Sequence, residues 1–217
     1  MEINTISGHF VTEFEQELYL SIHQGFRPDF AFVFCSVSQN LNQIRKLFHD
    51  NEIDVIGATT AGEIADTTID EKSIVAMLMK FKDPAYRVIY RDRSDKKASL
   101  KEIGGDIAKE ALEFTNNPSV VVLSGGLRAN GEELVSGFLA SDIPGNQIYG
   151  ALAGDDLQMQ DTYIFSNEGI TNLGVTAVVF NNDIITLSGV ATSGWESIGT
   201  EKVVTKAKGN VVYGIDN

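Results

Sequence analysis

The 217-residue sequence contains one cysteine, Cys35, so no disulfide can close within the chain and a reducing, cytoplasmic setting is expected. Cys35 lies in Phe30-Ala-Phe-Val-Phe-Cys-Ser with no cation beside it in sequence, and it reads as a buried small hydrophobe. No apolar run approaches the roughly 20 residues that cross a bilayer. The N-terminus lacks the basic-then-apolar order of a signal peptide, so a soluble protein is expected. Cations are scarce: 17 Lys and Arg face 30 Asp and Glu, a formal net charge of −13. That balance argues against nucleic acid and against an anionic membrane as partners. The shortage is uneven, with 15 acids and 11 bases in residues 1–100 but 15 acids and 6 bases in residues 101–217. Between Lys109 and Lys202 the only cationic side chain is Arg128.

Enzyme signatures are also missing. There is no P-loop, no Gly-x-Ser-x-Gly elbow, no His-Glu-x-x-His and no Cys-x-x-Cys. The three histidines, His9, His23 and His49, all fall in the first quarter, so a serine triad in the second half would have to borrow one of them. His23 and His49 sit near predicted helix C-termini, where an imidazolium is electrostatically comfortable.

What is present is a regular alternation of elements in a chain long enough to bury roughly 70% of its unfolded surface. Thr12 with Glu15 reads as a capping box, followed by Phe14, Leu18, Ile22 and Phe26 on one helical face that ends at Gly25 and Pro28. Asp29–Ser36 reads as a buried strand, Ser38 as the cap of a helix to about Asp50, and Asp54–Ala58 as a second buried strand. Ser73–Phe81 and Tyr86–Arg91 read as further strands, the latter with the cations of an edge. Ser99 and Glu102 cap a helix through Leu112. The pattern then restarts: strand Ser119–Ser124, a helix capped by Asn130 and Glu133, strand Gln147–Ala151, and strands at 162–165, 174–180 and 184–191. Asn167-Glu-Gly and Asn181-Asn-Asp are hairpin-grade turns.

Gly57-Ala-Thr-Thr-Ala-Gly-Glu in the first half is answered by Gly150-Ala-Leu-Ala-Gly-Asp in the second, with Gly62 and Gly154 92 positions apart. The expectation is an α/β (α+β) fold of two β-α-β-β-β units, about 28–98 and 117–195, forming one pseudo-symmetric body over 1–217 with helices outside the sheets. Neither half alone covers both faces of its sheet, so a single folded unit is expected.

The paired loops are the first candidates for a site. Thr59, Thr60, Gly62 and Glu63 offer hydroxyls, a carboxylate and a residue tolerant of positive φ; Gly154, Asp155 and Asp156 recur opposite them. The bland alternative is a pair of tight turns. Arg128, in the loop leading into a helix N-terminus, suits a carboxylate ligand, or else pairs with Glu132 or Glu133. Asp155 and Asp156 suit general acid–base work, Mg²⁺ with water, or an ammonium group, and equally ordinary loop capping. Trp195, the one tryptophan, is a pocket wall or a plug of the core.

Five segments in order, Phe32–Ser36, Val55–Ile64, Gly126–Leu134, Tyr149–Asp156 and Val204–Val212, resemble the FIST N-terminal domain over nearly all of the chain after about residue 28. Ala151 stands where that family usually has a second glycine, a change that keeps the backbone path. The resemblance implies a cytoplasmic bacterial input domain that binds a small polar ligand such as an amino acid and uses no catalytic residue. The implied partners are a histidine kinase, a chemotaxis receptor or a cyclic-dinucleotide enzyme. It also implies a FIST C-terminal domain beyond Asn217, so the chain is expected to be either a fragment or a form lacking that domain. One branch of the family binds haem and senses nitric oxide; on that reading one of His9, His23 or His49 is the axial ligand. A hydrolase or isomerase using Asp155 and Asp156, and a pure docking module for a kinase, are the remaining alternatives.

Overall fold

Phe30–Ser36 and Asp54–Thr60 are buried at nearly every position, covered on two faces as strands inside a layered α/β structure are. The computed structural model describes the whole chain apart from Pro84, Lys96, Ser193, Trp195, Asn210 and Asn217. It runs β1 (Glu2–Gly8), α1 (Val11–His23), β2 (Phe30–Ser36), α2 (Leu41–Asp50), β3 (Asp54–Thr60), β4 (Glu63–Ala65), β5 (Thr68–Asp70) and β6 (Ile74–Lys80). It continues with β7 (Tyr86–Arg91), α3 (Leu100–Phe114), β8 (Pro118–Ser124), α4 (Gly131–Leu139), β9 (Ile148–Leu152), β10 (Ile164–Ser166), β11 (Ile170–Thr171), β12 (Val175–Asn181), β13 (Val204–Lys208) and β14 (Val211–Ile215). The chain divides into two compact units, Met1–Leu187 and Ser188–Asn217.

The first unit holds a six-stranded sheet, β1-β6-β2-β3-β10-β11, and a four-stranded sheet, β7-β12-β8-β9. β2 lies parallel to β3 and antiparallel to β6; β8 lies parallel to β9 and antiparallel to β12. β1 and β7 complete these quartets antiparallel to β6 and β12. The two sheets therefore repeat one connection pattern, in which a helix separates the first strand from the second and another separates the second from the third.

The layers follow from which faces are apolar. Phe14, Leu18, Ile44 and Phe48 pack α1 and α2 on one sheet, and Ile103, Ile107, Leu134 and Phe138 pack α3 and α4 on the other. Phe30, Phe32, Ile56, Ile164, Val178 and Phe180 fill the space between the sheets, with Phe30 and Phe180 edge-to-face at 6.2 Å. The helices are thus outermost, as the sequence pattern requires. No helix of the described residues is long and apolar enough to cross a membrane.

Two strands lie elsewhere than the linear pattern suggests. Tyr86–Arg91, expected in the first half, pairs with β12, whose seven residues are buried at nearly every position and need partners on both edges. As an edge strand, β7 keeps its guanidiniums at the surface, Arg91 paired with Glu110 and Arg87 stacked over Phe114 at 4.9 Å. β10 and β11 form the expected Asn167 hairpin but join the first sheet along β3.

Capping departs from the expected residues in α1 and α2. Phe10, not Thr12, precedes α1, and the Glu13 carboxylate accepts from the His9 N–H at 3.0 Å. Asn40 caps α2 by accepting from Gln43 N–H, leaving Ser38 for another role. The Ser99–Glu102 capping box is complete, and Asn130 caps α4 through Glu132 N–H. Residues 184–191, expected as a strand, form none: the Asn181 carbonyl accepts from the N–H of Ile184 and Ile185, and Asn182 Oδ1 accepts from Ser119 and Leu187, so asparagine turn chemistry holds the residues up to Leu187 instead. β1 went unforeseen because its two apolar residues, Ile3 and Ile6, are three positions apart and give no strand alternation. The second unit contains the antiparallel hairpin β13–β14, with Lys202 paired to Asp216 at 2.8 Å.

Gly57 is the tightest point of the first sheet: a Cβ there would lie 2.2 Å from Phe165 Cζ and 2.6 Å from the Val33 carbonyl oxygen. Gly57→Ala is expected to destabilise the protein by about 3 kcal/mol, read as a lower urea midpoint at unchanged slope. Ser99→Ala removes the helix cap without touching the core and is expected to cost about 1 kcal/mol in the same titration.

Candidate functional site

The parallel strands β2 and β3 end side by side, with Ser36 opposite Thr60. The crevice outside the carboxyl ends of such strands is where open α/β sheets gather ligands. Here the two glycine loops meet. Gly154 N–H donates to the Thr59 carbonyl at 2.7 Å, the Thr59 hydroxyl donates back to the Gly154 carbonyl at 2.6 Å, and Asp156 N–H donates to the Thr60 carbonyl at 3.1 Å. The Thr59 hydroxyl also accepts from Tyr163 N–H at 3.0 Å. A Cβ on Gly154 would lie 3.2 Å from the Thr60 carbonyl carbon, so glycine permits this approach, and Gly62 takes the positive φ expected of it, 130°.

The carboxylates of these loops have different fates. Glu63 is buried: one oxygen accepts from the Thr60 hydroxyl at 2.6 Å, the other from the Ser73 N–H at 3.0 Å and the Ser73 hydroxyl at 2.9 Å. Asp155 is also buried, and its Oδ2 accepts from the N–H groups of Gln160 at 2.6 Å and Asp161 at 3.2 Å. Asp156 is half-buried, and Oδ2 accepts from the Ser36 hydroxyl at 2.7 Å. Ser36 has one hydroxyl proton, and it goes to this carboxylate. At the 2.7 Å contact with Ser38, the Ser38 hydroxyl is therefore the donor, and Ser36 Oγ also accepts Ser38 N–H at 3.1 Å. The result is a one-way chain, Ser38 to Ser36 to Asp156. Asp156 Oδ1 has no hydrogen bond among the described residues.

Beside this chain lies a cleft of about 270 Å³ lined by Ala61, Glu71, Lys72, Asp156 and Leu157. It carries charges of both signs, and three of its residues hold left-handed backbone: Lys72 at φ 59°, Asp156 at 51° and Leu157 at 61°. A non-glycine residue in that region costs about 1–2 kcal/mol. A wider cleft of about 470 Å³ lies among Asp54, Tyr86, Arg87, Phe114 and Glu168. Its polar groups already serve the fold, Tyr86 donating to Asp54 at 3.0 Å, and none of its lining residues has positive φ.

The remaining sequence candidates are placed as follows. Arg128 pairs with Asp161, Nε to Oδ1 at 3.3 Å, rather than with Glu132 or Glu133; it is half-exposed and does not line the cleft of Asp156. Trp195 lies outside the described residues. Cys35 is fully buried, and desolvation, followed by the charges of Glu63 and Asp156, pushes its thiol up, so it stays protonated. His9, His23 and His49 are exposed and line none of these clefts. Among the described residues no group of three or more His, Cys, Asp and Glu is arranged to hold a metal ion. The sequence alone did not mark Ser38, Glu71, Lys72, Ser73 or Leu157 as lining or supporting a cleft. Ser36 was readable as the end of the Asp29–Ser36 strand and within one of the five motif segments, with nothing to single out its hydroxyl.

A family model for the FIST N domain matches residues 29–217. No curated protein and no solved structure matches the chain. With nearly its whole length matched, the chain belongs to the FIST N-domain family, a sensory family of signal transduction.

Proposed function

We propose that the chain senses a small polar molecule, with an amino acid the class that fits, bound in the cleft beside Asp156. The observation that carries this reading is the left-handed backbone at Lys72, Asp156 and Leu157 around one two-signed cleft. Strained residues persist where the surroundings over-determine them, and they gather at ligand clamps and switch regions. Lys72 supplies an ammonium for a ligand carboxylate, and Asp156 Oδ1, with Glu71, supplies acceptors for a ligand amine. Ser36 and Ser38 fix the Asp156 rotamer from behind. Glu63 acts at one remove, holding Thr60 and Ser73. Arg128 contributes through Asp161, which in turn donates its N–H to Asp155. The repeated connection pattern of the two sheets supports reading the chain as a duplicated unit, with the ligand between equivalent loops. The signal passes to a partner such as a histidine kinase, a chemotaxis receptor or a cyclic-dinucleotide enzyme, with or without a FIST C-terminal domain.

Thermal-shift titration with the common amino acids at millimolar concentration is the direct test. A ligand at 100 times its Kd adds about 2.7 kcal/mol of stability, which raises the melting temperature by several degrees. No shift with any of them would defeat the amino-acid reading. Asp156→Asn and Ser36→Ala are expected to weaken the shift about tenfold in ligand concentration while leaving the fold intact.

Leu157→Gly separates strain from packing. The Leu157 side chain is 77% exposed, so little contact is lost, while glycine relieves the left-handed backbone. The variant is expected to be as stable as the parent or more stable, by up to about 1 kcal/mol, yet to bind its ligand more weakly. A clear loss of stability would show that the strain assignment is wrong.

A further inference from the structure

The charges around the cleft beside Asp156 do not balance. Its lining holds two carboxylates, Glu71 and Asp156, and one ammonium, Lys72. Among the described residues the Glu71 side chain has no hydrogen bond or ion pair, and Lys72 is engaged only through its carbonyl, which accepts from the Gln39 side chain at 2.7 Å. Asp156 accepts from a neutral hydroxyl, that of Ser36, which leaves its charge uncancelled.

The chain behind the lining has the same sign. Residues 61–73 carry Glu63, Asp66, Asp70 and Glu71 against Lys72, and residues 153–161 carry Asp155, Asp156 and Asp161 with no cation. Glu63 and Asp155 are held by hydroxyls and backbone N–H groups, not by cations. Arg128 is already paired with Asp161. Burial pushes the Cys35 thiol up, and the charges of Glu63 and Asp156 push it the same way, so the field of these loops reaches into the core.

Four classes of small polar molecule meet this lining differently. A neutral amino acid brings one charge of each sign, which match Lys72 and one carboxylate and leave the other unpaired. An acidic amino acid adds a carboxylate facing Glu71 and Asp156, and like charges at close quarters are costly. A diamine or polyamine pairs with both carboxylates but sets its ammonium groups against Lys72. A basic amino acid supplies one carboxylate and two cationic groups, the complement of one ammonium and two carboxylates. The methylenes of its side chain need apolar surface, and Leu157, 77% exposed, offers it beside Ala61 in the same lining. At about 270 Å³ the cleft is smaller than the roughly 300–1,000 Å³ of drug-sized ligand sites, which suits a single amino acid and not a nucleotide.

We propose that the ligand is a basic amino acid of the arginine, lysine or ornithine type. Its α-carboxylate pairs with Lys72, its α-ammonium with Asp156 Oδ1 and its side-chain cation with Glu71. The assignment rests on the cleft being the ligand site, and narrows the ligand to one charge class.

Isothermal titration of the full chain tests it. L-arginine and L-ornithine are expected to bind saturably, and L-arginine about tenfold more tightly than L-citrulline, which has nearly its shape without the side-chain charge. Agmatine, which is arginine without the carboxylate, is expected to bind about tenfold more weakly than arginine, because Lys72 loses its partner. Glu71 is exposed, so Glu71→Gln should leave circular dichroism unchanged while the advantage of arginine over citrulline disappears. Glu17→Gln removes the same charge from an exposed position of α1 outside the cleft, and there the advantage is expected to persist. Equal binding of citrulline and arginine would overturn the basic-ligand assignment and leave the cleft reading standing. Agmatine binding as tightly as arginine, or an arginine advantage that survives Glu71→Gln, would show attraction to the acidic surface at large and overturn it as well. No binding of any amino acid at millimolar concentration would bring down the cleft reading and this assignment together.

Discussion

Thr59 fastens the two sheets together. Its carbonyl and hydroxyl hold Gly154, where the chain has left β9 of the four-stranded sheet, and the same hydroxyl takes the N–H of Tyr163, which leads into β10 of the six-stranded sheet. A buried hydroxyl that donates once and accepts once at good distance leaves no polar atom orphaned; without it the Gly154 carbonyl and the Tyr163 N–H would each lack a partner, at about 1–3 kcal/mol apiece. The rest follows from this junction. Anchoring Tyr163 sets the register that brings Phe165 opposite Gly57, and anchoring Gly154 delivers Asp156 to Thr60 and to the Ser36 hydroxyl.

At this junction the two glycine loops do unequal things. In the first half the acid of the loop, Glu63, turns inward and is enclosed by Thr60 and Ser73. In the second half Asp155 takes the enclosed position, capping its own loop at Gln160 and Asp161, and the extra acid, Asp156, is carried to the cleft. The edges diverge similarly. β10 and β11 lie along β3, whereas among the described residues no strand pairs with the other edge of β9.

Much of this was legible in sequence. Unbroken apolar runs at Phe30–Cys35 and Val120–Leu123 announce strands buried on both faces, and the Ser99–Glu102 cap was readable to the residue. The meeting of Thr59 with Gly154 followed from the repeated glycine loops. What sequence could not supply was strand order: nothing in Tyr86–Arg91 or Ile164–Ser166 says which of two sheets each will join, because partners are set by packing across the whole body. The lining of the proposed cleft was hidden for a related reason. Lys72 and Leu157 stand out by their φ angles, and neither residue type advertises a left-handed backbone, whereas Gly62 did.

The distribution of carboxylates bears on what the cleft is for. Acid–base chemistry needs two titratable groups whose environments push their pKa values apart, both within reach of the reacting atoms. Glu63 and Asp155 are buried and committed to backbone and hydroxyl donors of their own loops, which leaves Asp156 as the second-half acid that reaches the cleft. Its neighbours there are Lys72 and Glu71, and behind it stands a hydroxyl chain whose protons run toward the carboxylate and so keep it an acceptor. On the proposed reading, the fixed acceptor, the Lys72 ammonium, the Glu71 carboxylate and the strained backbone serve to hold a small charged molecule. Strain supplies the remaining ingredient of a sensor: a backbone that is costly when empty, and that a ligand can stabilise, gives the bound and unbound states the difference in free energy on which any signal rests.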